Sequence, residues 1–336
     1  MSDRPEAPNA RRGVVLGAGG TLGAAWMIAR MHAIEQRTGV DLRGAELIVG
    51  SSAGSVLAAM LASGISVADM LAHQRGELDA THPLARSGFD YDTTVGGALP
   101  ERPPIRIGST GLLREVARHP RRLGVMTALA AAVPAGRGSL AGLSTALGAT
   151  LEAVRADRDA PSDDSASAAP SADWPPALRI VAIDYRDGTR VAFGSPDAPR
   201  GSVVDAVVAS CSIPGWFAPT LVDGRPYIDA GFRQATSADL AAGVGLTEVY
   251  VLAPLASIGA ESPPVTKFAR LERRWRHYLT RTLTHEVNAL RAEGLEPVVI
   301  TPTADERAAM GANLMDPRRR VRVLEATLRT GLSKAG

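Results

Sequence analysis

Glu46-Leu47-Ile48-Val49-Gly50-Ser51-Ser52-Ala53-Gly54 decides how this 336-residue chain folds. An apolar run gives way to a glycine-serine turn, and Val56 to Ala62 continues as a helix. A strand that bends straight into a helix with the spacing G-x-S-x-G lifts its central residue, Ser52, clear of the sheet. The same grammar occurs earlier. Gly13-Val14-Val15-Leu16 leads into Gly17-Ala18-Gly19-Gly20-Thr21-Leu22-Gly23, and Ala24 to Gln36 is helical, with Gly39 as its stop. Later apolar runs, Leu178 to Ile183 and Glu248 to Leu252, extend the pattern. Strands alternating with helices predict a three-layer α/β/α fold around a mainly parallel sheet covered on both faces.

A serine hydroxyl needs a base to take its proton. The six histidines, His32, His73, His82, His119, His277 and His285, all lie outside strand-end or glycine-rich contexts. Two aspartates compete instead. Asp223-Gly224 separates Thr220-Leu221-Val222 from Arg225-Pro226-Tyr227-Ile228, the strongest short hairpin signal, so Asp223 reads as a turn residue. Asp229, followed by Ala230 and Gly231, has room for a functional carboxylate at a strand end and is the candidate base.

With these segments in order, the chain resembles the patatin-like acyl hydrolases and phospholipases. The resemblance implies an oxyanion loop at Gly17 to Gly23, a nucleophile elbow at Gly50 to Gly54 and an aspartate motif at Asp229-Ala230-Gly231. Ala209-Ser210-Cys211-Ser212-Ile213-Pro214-Gly215 also looks like the segment that precedes the family's aspartate. It implies a Ser52–Asp229 dyad acting on lipid carboxylic esters, without metal or cofactor. Three positions depart from the family. Leu22 stands where a basic residue is usual, Ala230 where glycine is, and Ser51 where threonine is commoner.

Composition bounds the alternatives. Hydrophobic residues at 45% and charged residues at 21% suit a large globular core, and a net charge of +2 gives no footprint for nucleic acid. The single cysteine, Cys211, excludes an internal disulfide, reads as packed, and suits a cytoplasmic location. Residues 47–68 carry no charge, but the elbow within them marks a buried strand and helix, not a membrane span. A dinucleotide site is opposed by Leu22, where the fingerprint needs glycine, and by Asp41, which precedes its strand when it should end it. No His/Cys/carboxylate cluster has metal-ligand spacing. A silent ligand-binding protein on the same fold is the remaining alternative.

Residues 1–12 and 326–336 read as tails around a single domain at 13–325, with 76–176 an insertion that caps the site. Within it, 109–118 and 122–133 look helical and 156–176 looks disordered. Residues 266–292 form an amphipathic helix. Its apolar stripe is Phe268, Leu271, Trp275, Tyr278, Leu279, Leu283, Val287 and Leu290. Its basic face is Lys267, Arg270, Arg273, Arg274, Arg276, Arg281 and Arg291. That helix and the cap are the two candidates for peripheral membrane contact.

Overall fold

The computed structural model describes residues 10–91, 107–159, 174–258 and 267–331. The strands are β1 (Arg12–Leu16), β2 (Leu47–Ser51), β3 (Leu178–Asp184), β4 (Arg190–Phe193), β5 (Thr220–Val222), β6 (Arg225–Asp229), β7 (Glu248–Leu252) and β8 (Val298–Ile300). The helices before β3 are α1 (Gly20–Thr38), α2 (Ala53–Ala62), α3 (Val67–Arg75), α4 (Pro83–Arg86), α5 (Thr110–Arg118), α6 (Pro120–Ala132) and α7 (Ala141–Asp159). Those after it are α8 (Val203–Ser210), α9 (Lys267–Ala292), α10 (Ala304–Met310) and α11 (Arg320–Thr330).

The strands form one sheet in the order β5-β6-β3-β2-β1-β7-β8, with β4 folded back on β3. β3, β2, β1, β7 and β8 run parallel, β4 and β6 are antiparallel to β3, and β5 is antiparallel to β6. Alternate residues of each strand enter opposite layers. Val14, Leu16, Ile48 and Ile180 pack with α1, α2, α7 and α8, whereas Val15, Val49, Val181 and Val251 pack with α5, α6 and α9. Both faces of the sheet are therefore apolar and covered, which makes the three layers.

Local signals act as expected. Gly39 ends α1 in the left-handed region at φ 71°. Asp223 (φ 48°) and Gly224 (φ 68°) both take positive φ, the conformation of a type I′ hairpin between β5 and β6. Asp41 caps a short 3₁₀ turn by accepting the Arg43 N–H, a structural role.

Several boundaries move. Arg12 opens β1 and pairs with Glu248, so it belongs to the sheet. α11 runs to Thr330, with Thr327 buried, so 326–330 are part of the fold and not a tail. Within 156–176, helix α7 persists to Asp159, where Asp157 pairs with Arg86 and Arg158 donates to the Ser63 carbonyl. Trp174 is anchored on the Leu178 carbonyl, and the central part, 160–173, lies outside the described residues together with 1–9 and 332–336.

α9 spends its apolar stripe on the core through Leu279, Leu283, Val287 and Leu290. Tyr278 turns out to be partly exposed and Arg276 buried, reversing two face assignments. Glu272, one turn earlier, neutralises Arg276 at 3.0 Å. The side chains of Lys267, Phe268 and Leu271 lie outside the described residues.

Candidate active site

Ser52 sits at the end of β2 with φ 52° and ψ −125°, a strained conformation for a residue with a side chain. Two contacts hold it there. Its N–H donates to Ser210 Oγ at 2.8 Å, and that hydroxyl donates in turn to the Val181 carbonyl of β3 at 2.6 Å. Glycine at 54 is a packing requirement, because a Cβ there would lie 2.0 Å from the Leu16 carbonyl oxygen.

Asp229 ends β6 two strands away, with β3 between β6 and β2. Its N–H donates to the Ser212 carbonyl at 2.9 Å, so residues 210 and 212 grip both members of the candidate pair. The Asp229 carboxylate is buried, is influenced by the Ser52 side chain and accepts a hydrogen bond at 2.6 Å from the Gly231 N–H, both of which favour its ionised form. Burial outweighs both and pushes its pKa up to about 6. Gly231 must be glycine, since a Cβ would approach Ala18 Cβ to 2.7 Å and Asp229 Oδ1 to 3.0 Å. Ala230 is buried against the second core layer and faces away from the site.

The glycine loop is narrower as a donor set than its motif suggests. Gly17 N–H bonds the Leu252 carbonyl, Ala18 N–H that of Ala235, Leu22 N–H that of Leu314 and Gly23 N–H that of Gly19. Those four donors are spent on holding the loop. Gly19, Gly20 and Thr21 N–H have no acceptor among the described residues, nor does that of Ala53 behind Ser52. Leu22 is buried in the core, so the missing basic residue leaves an apolar packing position. The first turns of α1 and α2, Gly20-Thr21 and Ser52-Ala53, line the same pocket, so two helix N-termini converge where an oxyanion would form.

That pocket has a cavity volume of about 40 Å³ and is walled by apolar groups, among them Ala24, Val56, Phe89, Tyr91, Leu140, Leu143, Ile213, Phe217 and Met315. Phe89, Tyr91, Leu140 and Leu143 come from the insertion at 76–176. Its α5 and α6 pack instead on the opposite face of the sheet, through Leu112, Ala130 and Ala131. Cys211 also lines the pocket. Burial pushes its thiol pKa far up, which keeps it an inert packing group.

No histidine lines the pocket, and none perturbs Asp229. His82 caps α4, and His73 packs on Phe89 and Tyr91. Among the described residues no cluster of three or more His, Cys, Asp or Glu side chains could hold a metal, and none of their helices is long and apolar enough to cross a membrane.

The motif reading includes Ser210 and Ser212 without their supporting roles, and it misses Glu286 altogether. Glu286 on α9 accepts from Thr236 Oγ1 at 2.5 Å and Ala238 N at 2.9 Å. It thereby holds the segment whose Ala235 carbonyl fixes Ala18. A carboxylate between the inward-facing Leu283, Val287 and Leu290 of an amphipathic helix is the sign that could have found it.

A strand-to-helix serine elbow beside a buried carboxylate, on a mainly parallel three-layer sheet, places this molecule among α/β serine hydrolase folds. The patatin-like phospholipase family model matches residues 14–242, more than half of the chain, which belongs to that family of lipid hydrolases. Among solved structures it is similar to VipD from Legionella pneumophila, at 15% identity and a TM-score of 0.39, over 96% of this chain and 68% of that one. It is also similar to the type III effector protein ExoU, at 16% identity and a TM-score of 0.41. That match covers 96% of this chain and 52% of ExoU, so the chain spans about half of ExoU's length.

Proposed function

We propose that this chain hydrolyses lipid carboxylic esters through a Ser52–Asp229 dyad. The observation that carries this reading is Ser52 on its strained elbow, lining an apolar pocket, with its side chain acting on the buried Asp229 carboxylate.

Ser52 Oγ attacks the ester carbonyl carbon as its proton passes to Asp229. The carbonyl π electrons move onto oxygen, and the N–H groups of Gly19, Gly20, Thr21 and Ala53 are the donors available to it. Each such donor is worth about 2.7–4 kcal/mol in the transition state. Collapse expels the alkoxide, which takes the proton from Asp229 and leaves an acyl-serine. Water then gives a proton to Asp229 and attacks the acyl carbon. Expulsion of Ser52, which recovers that proton, releases the acid. A carboxyl group with a pKa near 6 is closer to the working pH than an ordinary aspartate, which suits it to both directions of transfer. With no histidine to protonate a poor leaving group, esters are better substrates than amides. The apolar pocket suits an acyl chain, and the one cysteine, buried and inert, suits a reducing compartment such as the cytoplasm.

Purified Ser52→Ala and Asp229→Asn proteins, assayed on p-nitrophenyl esters and defined phospholipids, should each lose at least about 100-fold in kcat/KM. Replacing each histidine in turn should leave most activity. A folded histidine variant as inactive as Ser52→Ala would refute the dyad.

A further inference from the structure

Nine large apolar side chains are exposed among the described residues, and four of them fall between positions 107 and 133. They are Ile107 (54% exposed), Val125 (74%), Leu129 (53%) and Val133 (38%). Val125 and Leu129 lie four apart after the break in α6 at Gly124 (φ 72°) and share one helical face, and Val133 follows as the extended C-cap of that helix. Apolar strips left facing water are the exception on a folded surface and mark contact sites.

This strip leads to the pocket. A Cβ on Gly215 would lie 2.5 Å from Val133 Cγ1, which puts Val133 against the loop that carries Ile213 and Phe217. Five residues on, Gly138 N–H bonds the Trp216 carbonyl and Gly138 bridges to Phe217, which lines the pocket. Charge surrounds the strip. Residues 107–137 contain five arginines and one glutamate, in a chain whose net charge is only +2. Arg118 pairs with Glu115, whereas Arg114, Arg121, Arg122 and Arg137 are exposed and form no ion pair among the described residues. The basic amphipathic helix α9 commits Leu283, Val287 and Leu290 of its apolar stripe to the core.

Resting on the lipid-ester reading above, we propose that the α6 face docks on an anionic lipid bilayer. Val125 and Leu129 enter the acyl boundary, and Arg121 and Arg122 meet headgroup phosphates. Unpaired cations beside exposed aliphatic groups complement that surface in both charge and polarity.

Co-sedimentation of Ser52→Ala protein with phosphatidylcholine vesicles, with and without phosphatidylglycerol, tests this apart from catalysis. The protein should bind the anionic vesicles and release as salt rises. Val125→Ser/Leu129→Ser and Arg121→Gln/Arg122→Gln should each weaken binding by roughly tenfold or more. In the Ser52 background both pairs should still hydrolyse a water-soluble short-chain ester at the parent rate, which certifies that they fold. Equal binding to neutral vesicles, no binding to either kind, or undiminished binding by either variant pair would overturn the proposal. Loss of ester hydrolysis in the unmutated protein would instead count against the dyad and leave the binding result standing.

Discussion

Asp229 is a residue whose burial works against folding and, in the proposed dyad, in favour of chemistry. Its folded pKa, about 6, lies above the model-peptide value of 3.8, so the folded chain holds its proton more tightly between those values. Stability contributed by this group therefore falls as pH rises from about 4 to 6 and is flat above, a total on the order of 3 kcal/mol. Asparagine keeps an oxygen for the Gly231 N–H and removes the charge. Asp229→Asn should thus melt at higher temperature than the parent at pH 8 while losing activity; a lower melting temperature would show that the carboxylate is not strained by burial. As the proposed base, Asp229 would work only when ionised, so kcat/KM should rise with pH through about 6 and then level off. Ser210→Ala should cost about 1–3 kcal/mol, because it leaves the Ser52 N–H buried without an acceptor. It should also lower kcat while KM barely moves; equal stability and kcat would remove Ser210 from the scaffold. Ser52 and Asp229 were legible because glycines and small residues must flank them. Ser210 was not legible in that role, since its partner lies 158 residues away and serine carries no sign of which distant amide it will meet.

At the scale of elements, the proposed lipid-ester reading makes α2 a ruler for an acyl chain laid along it. Tyr91 Oη rests 3.9 Å from Met60 Sδ, and Met60 is eight residues beyond Ser52, about 12 Å along the helix. An extended chain advances about 1.2 Å per bond, so an acyl group of about eight to ten carbons reaches that aromatic wall. Hydrolysis of a p-nitrophenyl ester series should peak near that length. Tyr91→Ala should move the peak to longer chains, and Tyr91→Phe should not. An unchanged profile in Tyr91→Ala would mean that the chain leaves the pocket another way. The helices themselves were largely readable from capping and periodicity. The two reversals on α9 arose at the edges of its stripe, where neighbours decide which way a residue faces. Arg276 lies three residues before Leu279 and is drawn inward with Glu272, whereas Tyr278 is left at the rim.

Across the whole molecule, the order of strands and helices was readable from alternating apolar runs and glycine turns, but the sheet order was not. Neighbours such as β1 and β7 pair Arg12 with Glu248 across more than two hundred residues, and only the closed fold reveals that register. The same holds for the chain beyond residue 242, which supplies Leu252, Glu286 and Leu314 to brace the loop and Met315 to the pocket. This closure depends on the buried pair of Arg30 on α1 with Glu306 on α10, which also engages Trp26 and Thr330. Glu306→Ala should lower unfolding free energy by about 3–5 kcal/mol in denaturant titrations, because it strands a buried guanidinium; a loss below about 1 kcal/mol would mean that the ends of the chain are held otherwise. The central claim remains that Ser52 is a nucleophile made reactive by Asp229. Its most direct test is covalent labelling with an alkyl fluorophosphonate, followed by mass mapping of the modified peptide. A single adduct on Ser52, formed rapidly in the parent and much more slowly in folded Asp229→Asn protein, is the predicted result. An unlabelled Ser52 in folded parent protein, or equal labelling rates in the two, would contradict it.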